Sequence, residues 1–287
     1  MADSAMDAGA SYDALLELAV GVAVEAAGLV RERRRAGVEV AATKSSPVDI
    51  VTEVDKESER LIFERLTTAR PRDGFLGEEG ASAPSASGVV WVVDPIDGTV
   101  NFLYGIPAYA VSIAASVDGE TVAGVVVNVE SGERFTATKG GGAFLDGRPL
   151  RVADTRPAPA LSQRLVGTGF NYVERVKLLQ TAAVSALLHE VRDIRRIGSA
   201  ALDLCFVAAR RLDAYVEEGL NPWDVAAGGL VATEAGALLE THPGVGGRDC
   251  VVCAPAAGFE ALRDLVARSG FLQPASREPA RPVTARE

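Results

Sequence analysis

The residues best suited to chemistry are acids that interrupt or end apolar runs. Val89-Val-Trp-Val-Val93 stops at two carboxylates in the segment Asp94-Pro-Ile-Asp-Gly-Thr99. In a regular strand, residues three apart point to opposite faces. Pro95 and Gly98 predict that the chain turns here instead, bringing Asp94 and Asp97 to one spot at a strand's C-terminal end. Gly98 and Thr99 then open a short helix whose backbone N–H groups suit an anion. Taken alone, the segment reads equally well as a surface turn. Two others bear on it. Gly77-Glu78-Glu79-Gly80 follows the apolar pair Phe75-Leu76, and adjacent acids of this kind are usually solvated. Trp223-Asp224-Val-Ala-Ala-Gly228 puts Asp224 in the first turn of an apolar helix, where capping alone would account for it.

Convergence of these segments would place Glu78, Asp94, Asp97 and Asp224 in one cleft. Four like charges a few ångströms apart do not all stay ionised without cations. All-oxygen donors select hard divalent ions, Mg²⁺ first and Mn²⁺ next. Bound cations also reverse the local field, so that an acidic site attracts a phosphate. Other chemistries find no support. His189 and His242 lie outside these segments. Cys250 and Cys253 sit three apart in a strand, which points them away from each other, and no second pair completes a zinc site. Gly140 to Gly142 lacks the lysine of a phosphate-binding loop and reads as a hairpin turn.

The elements that must position these acids follow from periodicity. Tyr12 to Arg35 is an amphipathic helix with Leu15, Leu16, Ala19, Val22, Ala23, Ala26, Leu29 and Val30 at helical spacing. Its closing arginines suit a helix C-terminus. Val38 to Ala42 reads as a strand, Thr43 to Pro47 as a loop, Val54 to Ala69 as a helix and Gly88 to Val93 as a buried strand. Ala108 to Val117, Thr121 to Val129 and Arg134 to Lys139 form a meander with turns at Asp118-Gly119 and Ser131-Gly132. Beyond it, strands near 164–168, 193–196, 213–217, 237–240 and 250–253 alternate with helices near 172–188, 199–209, 223–235 and 257–269. The expected organisation is a flexible N-terminus (1–11), an α+β half carrying most acids (12–155), an α/β half (156–271) and a disordered tail (272–287).

Composition narrows the function classes. The 287 residues are 48% hydrophobic and 24% charged, within the globular range. The net charge of −10 argues against nucleic acid or anionic membrane as a partner. Three cysteines make no disulfide framework, the start lacks a signal peptide's apolar stretch, and no apolar run spans a bilayer. A cytoplasmic protein is expected.

In this order, the segments resemble the inositol monophosphatase family of metal-dependent, lithium-sensitive phosphatases, from about residue 12 to 270. Asp94-Pro-Ile-Asp-Gly-Thr99 with Asn101-Phe102, and Trp223-Asp224-Val-Ala-Ala-Gly228, look like its two signatures. Lys44-Ser-Ser-Pro-Val-Asp49 with Thr52 and Asp55, Gly77-Glu78-Glu79, Gly105-Ile-Pro107 with Val111-Ser-Ile113, and Ile197-Gly-Ser-Ala-Ala-Leu-Asp203 also match. The bacterial, actinobacterial-type branch looks most similar. The resemblance implies a layered αβαβα sandwich, α+β joined to α/β, of the inositol monophosphatase/fructose-1,6-bisphosphatase type. It implies a first Mg²⁺ on Glu78, Asp94 and the Ile96 carbonyl, a second on Asp94, Asp97 and Asp224, and a weaker third near Glu78. Li⁺ would inhibit. Thr99 with Asp55 would orient the attacking water, and the Gly98 and Thr99 N–H groups would hold the phosphate. Asp97, Gly198, Ala200, Glu217 and Asp224 would meet substrate hydroxyls. Lys44 and Asp49 would lie on a mobile loop, and the chain would form a homodimer.

The favoured reaction is hydrolysis of myo-inositol 1-phosphate or a similar polyol monophosphate. Histidinol phosphate, fructose 1,6-bisphosphate and 3′-phosphoadenosine 5′-phosphate are the alternatives, with a regulatory protein partner a further one. The sequence offers no basic cluster for a second phosphate, which counts against the two bisphosphates. Relatives often carry Gly at the position of Arg210, where a positive φ would cost Arg about 1 kcal/mol.

Overall fold

The computed structural model describes residues 11–37, 40–43, 50–152 and 159–273. The expectations for the N-terminal ten residues, the Lys44-to-Asp49 loop, the boundary between residues 155 and 156 and the tail beyond Gln273 fall outside the described residues.

In chain order the first half runs α1 (Tyr12–Ala36), β1 (Val40–Thr43), β2 (Ile50–Thr52), α2 (Glu53–Ala69), β3 (Gly74–Gly77), β4 (Ser82–Ala83), β5 (Val89–Asp97) and α3 (Thr99–Tyr104). The meander follows as β6 (Ala110–Val117), β7 (Glu120–Asn128), β8 (Arg134–Thr138), β9 (Gly142–Leu145) and β10 (Arg148–Leu150). The second half comprises β11 (Leu165–Thr168), α4 (Glu174–Leu188), β12 (Asp193–Arg195), α5 (Ala200–Ala208), β13 (Ala214–Glu218), α6 (Pro222–Glu234), β14 (Ala237–Pro243), β15 (Asp249–Pro255) and α7 (Phe259–Arg268).

Eight strands form one sheet in the order β10-β9-β8-β7-β6-β5-β3-β4, and five form a second in the order β12-β11-β13-β15-β14. Three apolar cores bind the layers. The first packs Leu15, Ala19, Val22, Ala23 and Ala26 of α1 and Ile62 and Leu66 of α2 on Val111, Ile113 and Ala115 of β6. The alternate residues of the same strand, Ala110 and Ala114, face the second core with α5, α6, Tyr215 and Cys253. The third joins Val166, Val216 and Val252 of the second sheet to Leu187 of α4 and Leu262 and Leu265 of α7. The strand period of two thus sends each sheet's faces into different cores, and the layers stack as an αβαβα sandwich. Cys250 faces the third core and Cys253 the second, so the two thiols cannot share an ion. No helix among the described residues is long and apolar enough to cross a membrane.

One difference from expectation shapes the site. β5 does not stop at Val93 but continues to Asp97. Asp94 pairs with Ser112 and Asp97 with Ala110, so four residues of β5 oppose three of β6. This β-bulge contains Pro95, which has no N–H for the ladder. The extra residue reverses the side-chain parity, so two acids three apart share a face. A bulge does what a turn was expected to do.

Candidate active site

The carboxylates converge where β5, α5 and α6 meet. Asp94, Asp97 and Asp224 each offer an oxygen within 4.8 Å of the others. They line a cleft of about 590 Å³ together with Glu78, Ile96, Gly98, Thr99, Gly198, Ala200 and Glu217. Every residue expected to bind metal or substrate therefore borders one cavity. Asp55 stands behind it, joined through Thr99. Lys44 and Asp49 lie outside the described residues, and His189 and His242 are not on the cleft.

Each acid is oriented by the chain. Ile96 N–H donates to Asp94 Oδ1 at 3.0 Å, inside the bulge. Ser199 Oγ and Ala201 N–H donate to Asp97 Oδ2 at 2.6 and 2.7 Å. Asn221 N–H donates to Asp224 Oδ2 at 2.6 Å, half of a capping box that starts α6. The capping role read for Asp224 and its place in the acid cluster are thus compatible, one carboxylate serving both. Gly98 sits at φ 100°, and a Cβ there would come within 3.0 Å of the Ala108 and Gly198 carbonyls, so only glycine allows this approach.

Like charge in a dry place sets the electrostatics. Burial, then Glu78, Asp97 and Asp224, push Asp94 well above the usual carboxylate range. Burial pushes Asp97 up to about 7, although Ser199 and Ala201 pull it back. Burial and then Asp97 raise Asp224 well above its ordinary value. Among the described residues no lysine or arginine pairs with any of the three. Hard oxygen donors, converging and lacking an internal counter-cation, fit a divalent ion such as Mg²⁺ or Mn²⁺.

Beside the cluster, Thr99 Oγ lies 3.0 Å from Asp55 Oδ1 and 3.1 Å from the Ile96 carbonyl, able to donate to either. Thr52 N–H holds Asp55 Oδ2 at 2.8 Å, with the Thr52 hydroxyl on the same oxygen. Burial raises the Asp55 carboxyl. On the opposite wall the Tyr215 hydroxyl donates to Glu217 Oε2 at 2.6 Å. A Cβ on Gly169 would lie 1.9 Å from that carboxylate, so glycine makes the room for it.

The pattern of a known family covers this whole arrangement. The profile of the inositol monophosphatase family matches residues 11–274. The chain belongs to the inositol monophosphatase family. It is a phosphatase, a phosphoric monoester hydrolase, in a family that is metal-dependent. The inositol-1-monophosphatase of Mycobacterium bovis is 50% identical over 261 residues, covering 85% of this chain and 90% of that protein. The Nus factor SuhB of Pasteurella multocida is 40% identical over 227 residues, covering 78% and 84%. The structure of Mycobacterium tuberculosis SuhB superposes with a TM-score of 0.78 at 43% identity, covering 92% of this chain and all of that one.

Several features of this site were not read from the sequence. Ser199 and Ala201, which hold Asp97, are 102 and 104 residues away from it; the only local sign was a Ser at the start of a helix. Asp203 is buried with Oδ1 unpartnered, and burial followed by Glu217 and Asp97 raises its carboxyl well above the ordinary range. Arg175, Arg196 and Arg248 line the same cleft. They are far apart in sequence, so no local run betrays them.

Proposed function

We propose that the chain hydrolyses a polyol or sugar monophosphate, with myo-inositol 1-phosphate the favoured substrate, by attack of an activated water. The observation that carries this reading is the convergence of Asp94, Asp97 and Asp224 on one oxygen-lined point beside Thr99. Glu78, Asp94 and the Ile96 carbonyl would hold one Mg²⁺, and Asp94, Asp97 and Asp224 a second, with a weaker third near Glu78. When bound, Mg²⁺ or Mn²⁺ supplies the positive charge that admits a phosphate to an acidic cleft and acidifies water.

The chain's own groups account for the rest. Thr99 Oγ accepts the proton of the attacking water and passes its own to Asp55 Oδ1. Burial raises the Asp55 carboxyl, the direction a base working near neutral pH requires. The Gly98 and Thr99 N–H groups hold the phosphate oxygens. Glu217, fixed by Tyr215, meets hydroxyls of the leaving alcohol together with Asp97, Gly198, Ala200 and Asp224. A P–O bond forms from water, the ester P–O bond breaks, and the alcohol oxygen takes a proton. No nucleophilic Ser or Cys is required. The three free cysteines fit a cytoplasmic location, and the family resemblance favours a homodimer.

Phosphate release from inositol 1-phosphate and histidinol phosphate, each with Mg²⁺, with EDTA and with Mg²⁺ plus Li⁺, tests this reading, with Asp94→Asn as control. Mg²⁺-dependent, Li⁺-inhibited release from the inositol ester, lost in the variant, is the expected result. Preference for histidinol phosphate would keep the chemistry and change the substrate. Release from neither, with metal bound, would overturn the assignment and favour a regulatory partner role.

A further inference from the structure

The wall that carries Glu217 also carries a cation, and a glycine makes room for each. Glu217 occupies the space that a Cβ on Gly169 would take, at 1.9 Å. Arg196, just past β12, lies over Gly198 in the same way: a Cβ there would come within 2.4 Å of its Nη1. Both charged side chains border the cleft. They do not close on each other. Among the described residues Arg196 makes no ion pair, whereas its neighbour Arg195 is closed on Asp193 at 2.6 Å. The two are still near enough to interact: burial raises the Glu217 carboxyl, and the Tyr215 hydroxyl and then Arg196 draw it back down.

A second acid behind this wall does not add to its charge. Asp203 of α5 is 1% exposed, and its Oδ1 has no partner. It does not cap its helix, because the Ala201 N–H goes to Asp97 and the Leu202 N–H to Ser199 Oγ. A carboxylate buried without donors is costly, and Glu217 and Asp97 repel it further, so Asp203 keeps its proton. One anion and one cation remain on the wall. They select by hydrogen-bond type. An ionised Glu217 only accepts, and Arg196 only donates. A hydroxyl does both, so an alcohol with several hydroxyls meets the two at once. An ammonium only donates: it satisfies Glu217 and leaves Arg196 facing a like charge.

We propose that Arg196 is a specificity-determining residue of this wall. It donates to one hydroxyl of the leaving polyol while Glu217 accepts from another, so the cleft takes monophosphates of neutral polyols and rejects those of amino alcohols. This rests on the phosphatase reading above and narrows its leaving group. The discrimination works by repulsion as well as attraction: the guanidinium that holds the hydroxyl is the group that turns the ammonium away. Arg196 touches the alcohol and not the reacting phosphorus, so its contact is made equally before and during the reaction. Its contribution therefore falls on KM more than on kcat.

The test compares three esters with Mg²⁺: inositol 1-phosphate, histidinol phosphate, whose alcohol bears an ammonium, and phenyl phosphate, whose leaving group has neither ammonium nor further hydroxyl. The wild type is expected to favour the inositol ester over histidinol phosphate by about tenfold or more in kcat/KM. Arg196→Gln raises KM for inositol 1-phosphate by about tenfold, lowers it for histidinol phosphate and leaves phenyl phosphate unchanged. Arg196→Lys restores the exclusion of the ammonium. Glu217→Gln moves the ratio the other way, weakening histidinol phosphate most. A ratio indifferent to Arg196→Gln would overturn the proposal. So would an equal loss on phenyl phosphate, which would make Arg196 a general attractor of phosphate. A wild type that prefers histidinol phosphate would overturn it while the phosphatase reading stands. If no ester is turned over, that reading fails instead, and calorimetry of inositol 1-phosphate with wild type and Arg196→Gln decides on Arg196 alone. Binding weakened about tenfold in the variant would support the contact, and equal binding, or none to either, would overturn it.

Discussion

Asp73 and Asp94 are both nearly inaccessible, at 4% and 2% exposure, yet their surroundings differ in kind. Asp73 accepts from Trp91 Nε1 at 3.0 Å and Ser87 Oγ at 2.6 Å, and it pairs with Arg70. Glu59 is treated likewise, by the Glu79 and Ala81 N–H groups, and Glu218 by those of Gly246 and Arg248. These acids find inside the chain the donors that a buried charge needs. Asp94 instead faces Glu78, Asp97 and Asp224. Burial alone does not mark a functional acid. What separates the two regions is whether an acid stands alone among internal donors or faces other acids, whose summed charge must be met from outside.

Asp94→Asn breaks the contrast from the active-site side. It should lower kcat by on the order of 10³-fold while leaving the metal-free protein folded and no less stable, because a repelled charge is removed. Steady-state kinetics and a melting curve in EDTA check both halves.

The pH dependence of the metal-free protein sharpens it. Asp97 titrates at about 7 when folded, and Asp94 and Asp224 are also raised, so the folded state holds protons that the unfolded chain has already released near neutral pH. Stability in EDTA should therefore rise as pH falls from 8 to 5, by at least about 2 kcal/mol. Saturating Mg²⁺ should flatten that slope. Denaturant midpoints across the pH series measure it, and a metal-free protein most stable at pH 8 would contradict it.

Asp73→Ala tests the other region. It strands the Trp91 indole N–H and Arg70, so it should cost about 3 kcal/mol of stability with kcat/KM kept. Loss of activity in a folded Asp73→Ala protein would blur the division between the two sets. The smallest effect lies away from both. Arg210 has φ 59°, the left-handed region, so Arg210→Gly should gain up to about 1 kcal/mol without altering kinetics.

Much of this was legible in the chain. The α1 spacing, the meander and the apolar run into Asp94 fix elements through local periodicity, and Arg210 takes the positive φ anticipated for it. The short strands β3, β4, β9 and β10 were not read as strands. Two to four residues carry too little periodicity, and their pairing depends on neighbours in the sheet. The acids were legible as residue types; the bulge that puts Asp94 and Asp97 on one face was not, because register is set by β6. Ser199 holds Asp97 from 102 residues away, and Arg175, Arg196 and Arg248 reach the cleft from separate segments, which no local pattern records.

The central claim is that Asp94, Asp97 and Asp224 form a cation site because the fold leaves them uncompensated. Titration of metal-stripped protein with Mn²⁺ at pH 7, following the free-ion electron paramagnetic resonance signal, tests it most directly. Saturable binding in the wild type, weakened at least about tenfold in Asp94→Asn and unchanged in Asp73→Ala, is the predicted result. Equal Mn²⁺ binding by the wild type and Asp94→Asn would contradict it.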